Sequence, residues 1–206
     1  MTSKQLDLCI CEIATGNREA LRQLYDEFKN PIFLFALSLV KNYQTAEDVE
    51  QETFIQVMQS AHKYQPGTNA KAWIFSIARN CCVDNIKKAA KYVPLENDIL
   101  PDLSASADEF DKVENALIAL EALDVLDETE KTIVSLYFYA ELKQTEIAKI
   151  LHIPYLSVRS KYGYAMKKLK RYFEKKGVCN NEKKNYRETN EESNAIKSTG
   201  ESMGKD

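Results

Sequence analysis

Apolar side chains recur every three or four residues along most of the chain, which is the period of an amphipathic helix. The repeat is clear over residues 6–13, 21–28, 49–61, 74–86 and 145–169, and an apolar run, IFLFALSLV, occupies residues 32–40. Pro31 precedes that run and is expected in the first turn of a new helix, where the missing N–H has no helical partner. No strand-like alternation competes, so the pattern predicts an all-α fold.

The segment from Ala72 to Lys91 has one apolar and one polar side. The apolar positions predict a buried stripe made of Ile74, Ile77, Ala78, Cys81 and Ile86. The polar side carries an amide, a carboxylate and a ladder of lysines: Asn80, Asp84, Lys87, Lys88 and Lys91. A cationic face on an anchored helix suits an anionic polymer, so we predict that this helix binds nucleic acid. Trp73 is expected to pack in the core rather than stack on a base.

A second basic segment begins near Thr145. The series TEIAKIL, HIPYLS and VRSKYGYAMKKLKRYF fits two helices joined by a turn, which is the pattern of a helix-turn-helix. The first half of the second helix is the part that reaches base edges in such modules. Its candidate DNA contacts are Tyr155, Ser157, Arg159, Ser160, Lys161 and Tyr162. Arg159 is the best candidate for a base contact or a phosphate clamp.

The helix expected after Thr45 has an acidic outer strip. Thr45 is the predicted N-cap, and the inward positions are Val49, Phe54, Val57, Met58 and Ala61. The strip consists of Glu47, Asp48, Glu50, Gln51 and Glu52. Charge alone fits two interpretations, a solvated helix surface or the docking strip of a protein partner.

Net charge is only −3, but the charges are segregated along the chain. Residues 71–94 carry five Lys/Arg against one acid, and residues 157–176 carry eight against one. Between them, residues 95–123 carry eight acids against one lysine. We therefore predict two small helical domains, 1–93 and 109–177, joined by a flexible acidic linker at 94–108 and followed by a disordered tail at 178–206.

No catalytic constellation, glycine-rich phosphate loop or metal-ligand spacing stands out, so we expect neither an enzyme nor a cofactor. The five cysteines are odd in number and lie mostly in apolar contexts, which favours reduced thiols. The first residues do not form a signal peptide, and no apolar run reaches about 18 residues. We expect a cytoplasmic protein that does not insert into membranes.

Three motifs in series resemble the RNA polymerase sigma factors of the extracytoplasmic-function group, which have only regions two and four. They are AEDVEQETF at 46–54, AWIFSIARNCCVD at 72–84 and TEIAKILHIPYLSVRSKYGYAMKKLKRYF at 145–173. The resemblance covers roughly residues 6–176 in order. It implies that the protein binds core RNA polymerase and directs promoter-specific initiation, and that an anti-sigma protein is a partner.

The resemblance also assigns roles to residues. It implies that residues 46–60 dock on the coiled coil of the clamp in the largest polymerase subunit, with Asp48, Gln51, Glu52 and Phe54 at matching positions. The 72–91 helix and the loop before it would meet and help melt the minus-ten element, with Asn80 reading a flipped base. Phosphates there would be held by Lys71, Lys87, Lys88 and Lys91. The helix-turn-helix would meet the minus-thirty-five element.

Two features depart from the family pattern. The basic end of the 72–91 helix reads KKAAK, where the family is often rich in arginine, which argues against bidentate contacts there. Gly163 and Tyr164 stand where a His-Arg pair is frequent. The main alternative is a conventional helix-turn-helix transcriptional regulator, which leaves the acidic strip and the Asn80 helix without a role. A helical adaptor that binds only proteins is a third option, against which the two basic helices speak.

Overall fold

A computed structural model describes residues 1–89 and 118–177, and within these ranges every regular element is a helix. The first unit, residues 1–89, contains α1 (Ser3–Ala14), α2 (Arg18–Val40), α3 (Tyr43–Ser60) and α4 (Ala70–Ala89). In the second unit, residues 118–177, a helical segment at 118–122 precedes α5 (Glu128–Phe138), α6 (Gln144–Leu151) and α7 (Tyr155–Lys176). The all-α prediction is confirmed. The predicted linker, Lys91 and the predicted tail lie outside the described residues.

One long helix, α2, replaces the two helices expected on either side of Pro31. Pro31 lies inside Arg18–Val40, although a proline in a helix interior costs about 3 kcal/mol. Phe28, Ile32 and Phe35, which flank it, are all buried. Packing on both sides of Pro31 thus outweighs the local penalty, which a purely local interpretation of the sequence missed.

The start of α3 also differs from the prediction. Asn42, rather than Thr45, is the N-cap, and its Oδ1 accepts hydrogen bonds from Thr45 N at 2.8 Å and Thr45 Oγ1 at 2.9 Å. Lys41, with φ of 57°, ends α2 in the left-handed region, so only two residues separate the helices. The helix therefore begins earlier than the capping-box pattern indicated, and Thr45 lies in its first turn.

The core of the first unit is built around Phe75 of α4. Its ring contacts Phe35 edge to face, with centroids 5.6 Å apart, and Phe28 at 6.4 Å. Ile74 beside it is fully buried. Trp73 packs against this core as expected, half-buried and with its ring centroid 5.2 Å from that of Tyr64. These contacts hold α4 against α2 and fix the direction in which its other face points.

The second unit contains the predicted helix-turn-helix. Asp127 caps α5 in a capping box, with Glu130 N donating to Asp127 Oδ1 at 2.7 Å and Glu130 Oε2 accepting from Asp127 N at 3.0 Å. His152 ends α6 with φ of 53°, and α7 starts three residues later. Ile147 and Val158 are fully buried between the helices. The turn therefore orients α7 across α6 as such modules require.

The two units contact each other along a surface that we call the seam. Ser38 Oγ of α2 lies 2.8 Å from Ser135 Oγ of α5, and both hydroxyls are buried. The apolar cluster of the first unit continues through Ile133 and Leu136 of α5. At the edges of the seam, ion pairs and a hydrogen bond join Lys41 to Asp124, Lys71 to Glu141, and Asn69 to Glu146.

Substitution of Phe75 by alanine tests the role assigned to the aromatic core. Because Phe75 is fully buried, Phe75→Ala is expected to destabilise the first unit by about 3–5 kcal/mol. Ile86→Ala is the matched control, since Ile86 of the same helix is 44% exposed and its loss should change stability far less. Urea unfolding followed by circular dichroism measures both. Equal effects would contradict the core assignment.

Candidate nucleic-acid interface

The outward face of α4 brings together most of the polar residues predicted for it. Asn80, Asp84, Lys87 and Lys88 are exposed. Within the described residues, Asn80 forms no side-chain hydrogen bond, so its amide faces solvent with a donor and an acceptor available. The opposite face is anchored by buried residues, Ile74, Phe75, Ala78, Cys81 and Cys82. Ile86 was expected in that buried stripe but is 44% exposed, because the last turns of α4 extend past the core.

Lys71 is placed differently from the other lysines of α4. Its Nζ lies 2.9 Å from Glu141 Oε2 of the second unit, and the ion pair lowers the pKa of the Glu141 carboxyl. Asn69, two residues before, donates from Nδ2 to Glu146 Oε1 at 2.6 Å. Two residues at the start of the α4 face are thus occupied by carboxylates, which present the same kind of charge as DNA phosphates.

Residues 64–69, which we call the entry loop, lead into α4. Asn69 Oδ1 accepts from Ala72 N at 2.9 Å, so Asn69 caps α4. Residues 65–69 are all exposed and include the amide of Gln65 and the hydroxyl of Thr68. The loop therefore extends the polar face of α4 at its N-terminal end.

On α7, the six predicted DNA contacts divide between two sides of the helix. Tyr155, Ser157, Arg159 and Ser160 are exposed. Tyr164 and Lys167, which the sequence did not single out for this face, line a shallow depression together with Leu156, Arg159, Ser160 and Gly163. Tyr164 lies four residues after Ser160 and Lys167 lies seven after it, which is the helical spacing that identifies them.

Lys161 and Tyr162 lie on the other side, toward α5. Lys161 Nζ is 3.3 Å from Asp127 Oδ2, and the Tyr162 ring is 4.8 Å from that of Tyr137. Burial raises the pKa of the Tyr162 hydroxyl, with the nearby Tyr137 as a further cause. Both residues therefore hold α7 on α5 in this conformation. Lys161 and Tyr162 lie three and four residues after buried Val158, so helical spacing places them on its side of α7, which the predicted contact set did not take into account.

The acidic strip of α3 lies on a surface with a mixed character. Asp48, Gln51 and Glu52 are exposed, and Ile55 and Met58 follow on the same side, exposed by 44% and 47%. We call these five residues the α3 outer face. Met58 was predicted to point inward, which is wrong; Val57 occupies the core instead. Ile55 was missed, although it lies seven residues after Asp48 and so shares its side of the helix.

Phe54, predicted at the same partner site, lies beneath this surface. It is only 7% exposed, and its ring centroid is 4.9 Å from that of Tyr25 of α2. Tyr25 is itself exposed beside Glu50, and burial raises the pKa of the Glu50 carboxyl. Phe54 thus supports the strip through packing, and Tyr25 supplies an aromatic surface next to it.

The cysteines in the described residues are free thiols. Cys9, Cys81 and Cys82 are buried, and Cys11 is partly buried. Burial raises the pKa of Cys82 to about 12 and also raises that of Cys81. In the described part of the chain, no cluster of His, Cys, Asp and Glu has the arrangement of a metal site, and no helix is long and apolar enough to cross a membrane.

Comparison with known proteins identifies this pair of units. Residues 24–92 match the family model Sigma-70 region 2, and residues 122–171 match Sigma-70, region 4. The ECF RNA polymerase sigma factor SigM of Bacillus subtilis (strain 168) is 28% identical over 150 residues, covering 72% of this chain and 91% of that protein. SigL of Mycobacterium tuberculosis (strain H37Rv) is 27% identical over 170 residues, covering 80% and 95%.

Solved structures show the same fold. The structure of CnrH in complex with the cytosolic domain of CnrY matches with a TM-score of 0.63 at 20% identity, covering 82% of this chain and 97% of that one. The sigma factor RpoE, in complex with the anti-sigma factor NepR from Bartonella quintana, matches with a TM-score of 0.59 at 21% identity, covering 74% and 96%.

The chain belongs to the sigma-70 family, in its ECF group with regions 2 and 4. It is a sigma factor that directs promoter-specific transcription initiation. The alternative interpretation, a conventional helix-turn-helix regulator, is therefore rejected.

Because Arg159 and Lys161 lie on different sides of α7, their substitutions should affect DNA binding to different extents. Arg159→Ala is expected to weaken binding to duplex promoter DNA by roughly tenfold or more, because an exposed guanidinium that contacts a base is worth about 1–3 kcal/mol. Lys161→Ala should weaken it much less, since Lys161 is paired with Asp127. Fluorescence anisotropy with the holoenzyme measures both. A larger loss for Lys161→Ala would contradict the assignment of sides.

Burial of Cys82 predicts alkaline destabilisation. Its folded pKa of about 12 lies above the ordinary value of 9.0, so the neutral thiol stabilises the fold below pH 9, and this contribution is lost as pH rises from about 9 to 12. The loss amounts to at most about 1.4 kcal/mol per pH unit. At pH 9 the free energy of unfolding of Cys82→Ala should be lower than that of the wild-type protein. It should fall less steeply than the wild-type value as pH rises from 9 to 12. Identical slopes would contradict the prediction.

Proposed function

We propose that the α3 outer face docks on the coiled coil of the clamp in the largest subunit of core RNA polymerase. Asp48, Gln51 and Glu52 supply acceptors and negative charge, and Ile55 and Met58 supply apolar area. α3 packs against α2 and α4 through buried Val49, Phe54 and Val57, so this surface is presented rigidly. A rigid helix face with charged and apolar positions at helical spacing suits another helix as its partner.

The outward face of α4 and the entry loop are proposed to bind and help melt the minus-ten element. A base leaving the stack costs a few kcal/mol, which contacts to the flipped base can offset. The Asn80 amide both donates and accepts, and the Asp84 carboxylate accepts, so both suit base edges. Lys87 and Lys88, exposed on the same face, suit phosphates. Lys91 keeps the phosphate role predicted from the sequence.

Lys71 is proposed to bind DNA by exchanging its carboxylate partner for a phosphate. In the present conformation its ammonium is paired with Glu141, and a DNA phosphate would replace that carboxylate. Such an exchange conserves one ion pair and releases Glu141 to solvent, so its net cost is small for an exposed pair.

The N-terminal half of α7 is proposed to read the minus-thirty-five element in the major groove. Tyr155, Ser157, Arg159 and Ser160 face outward there. The guanidinium of Arg159 can donate two hydrogen bonds to a guanine, while the two serines suit the phosphate backbone. Lys161 and Tyr162 act through the packing of α7 on α5.

Two further points are inferred from the relatives. Both matched structures contain a second protein, and in the RpoE structure that protein is named an anti-sigma factor, so we infer that an anti-sigma protein holds this chain as well. A promoter-directing factor works where the polymerase does, so we place it in the cytoplasm.

Promoter-dependent run-off transcription tests the proposal as a whole, and two substitutions test promoter melting and core binding separately. The purified chain with core polymerase is expected to yield discrete transcripts from a genomic template. Asn80→Ala should spare core binding, yet reduce permanganate reactivity of the melted start region by roughly tenfold, as expected for the loss of a base contact worth about 1–3 kcal/mol. Glu52→Lys should instead weaken core binding, measured by gel filtration, because it reverses a charge on the α3 outer face.

Three results would contradict the proposal. Absence of core binding and of transcripts would remove the function as assigned. Unchanged permanganate reactivity in Asn80→Ala would refute the role of that amide, and unchanged core binding in Glu52→Lys would refute the docking face.

A further inference from the structure

We propose that Asp7 of α1 is a positioning residue for minus-ten recognition. Its carboxylate holds the entry loop in the conformation in which the loop and α4 together bind the minus-ten element. The inference rests on the proposed function of α4 and the entry loop, and it assigns a role to a helix that the function has so far left without one.

Both carboxylate oxygens of Asp7 face the entry loop. Oδ1 accepts the hydrogen bond of the Tyr64 hydroxyl, and Oδ2 accepts from Gly67 N at 3.2 Å. The two donors come from the beginning and the middle of the loop, so one side chain fixes its turn at two points. Hydrogen bonds to an ionised acceptor are roughly twice as strong as neutral ones.

Asp7 itself is held firmly. The neighbouring turns of α1 are buried through Leu6, Cys9 and Ile10, and Thr2 caps the helix in a capping box with Gln5. An anchored helix transmits the position of its side chain to the loop more precisely than another loop does.

Apart from Asp7, the contacts that tie residues 65–69 to the described part of the protein lie near the end of the loop, where Thr68 O accepts from the Tyr64 hydroxyl at 3.2 Å and Asn69 bonds Ala72 N and Glu146. All five are exposed, and a Cβ built at Gly67 would meet no atom within 4 Å. Gly67 has φ of +84°, a conformation open to glycine at little cost but not enforced by packing. A local bond from Thr68 Oγ1 to Gln65 O, 2.8 Å, closes the turn without tying it to the body of the protein.

Tyr64 links the two ends of this arrangement. Its ring packs against Trp73 in the first turn of α4, and its hydroxyl reaches back to Asp7. Burial, followed by the hydrogen bond to Asp7, raises the pKa of Tyr64 to about 12, so the hydroxyl remains a donor at physiological pH. α1, the entry loop and the start of α4 thus form one connected set.

Hydrogen exchange on the full chain tests the structural step. Asp7→Ala should accelerate exchange of the Gly67 amide by roughly tenfold or more, while amides in the middle of α4 stay protected. Asp7→Asn should restore most of the protection, because an amide can accept from Gly67 N–H and donate to the Tyr64 oxygen. Unchanged exchange at Gly67 in Asp7→Ala would overturn the proposal whatever the protein's activity.

Promoter selectivity tests the functional step in the holoenzyme. The probe is one promoter transcribed by the wild-type holoenzyme, with single-base variants in its minus-ten and minus-thirty-five elements. Asp7→Ala should keep core binding and lower discrimination among minus-ten variants by roughly fivefold to tenfold, as loss of about 1 kcal/mol or more would give. Discrimination among minus-thirty-five variants should not change. Asp7→Asn should recover the minus-ten preference, and Tyr64→Phe should show part of the loss.

Asp26→Ala, which removes an exposed carboxylate from α2, is the charge-matched control and should leave both preferences intact. Loss of discrimination at both elements, or at neither, would overturn the positioning role. A wild-type holoenzyme that makes no promoter-dependent transcript would instead contradict the proposed function, and Gly67 exchange would still decide whether Asp7 holds the loop.

Discussion

The edge-to-face packing of Phe75 against Phe35 and Phe28 is the interaction on which the rest of the first unit depends. It joins α4 to α2, and α3 packs on both. The polar face of α4 and the α3 outer face therefore keep a fixed relation to one another. A sigma factor must bind polymerase and a DNA strand at the same time, and a shared aromatic core supplies the rigidity that couples the two surfaces.

Local sequence rules located the helices better than their ends or their contacts. The period of three to four residues correctly predicted α3, α4, α6 and α7, since burial on one face imposes that period. The helix boundaries predicted from Pro31 and Thr45 were wrong. Tertiary packing overrides the local preference at Pro31, and the short turn at Asn42 overrides it at Thr45. The prediction that Met58 points inward was wrong because a methionine fits either a buried or an exposed position. The rotation of α3 about its own axis, set by its packing on α2 and α4, determines which side is buried.

The site was predictable where exposure follows from helical spacing, as for Asn80 and Arg159. It was not predictable where a residue has a partner far along the chain. Lys71 meets Glu141 and Lys161 meets Asp127, separations that no local pattern encodes. The same applies to Asp7, whose partners Tyr64 and Gly67 lie about sixty residues away. Charge counts identified the basic segments, whereas the structure shows which of their cations are already neutralised.

The seam limits the reach of the molecule along DNA. Asn69 contacts Glu146, and helix rise and chain length from these two residues place the Asn80 and Arg159 backbones less than roughly 60 Å apart. Elements centred 25 base pairs apart on straight duplex are separated by about 85 Å, at about 3.4 Å per base pair. With Asn80 and Arg159 in their proposed roles, the protein in this conformation spans one element at a time. Breaking the Ser38–Ser135 contact and its surrounding ion pairs is therefore part of the free-energy cost of occupying a complete promoter.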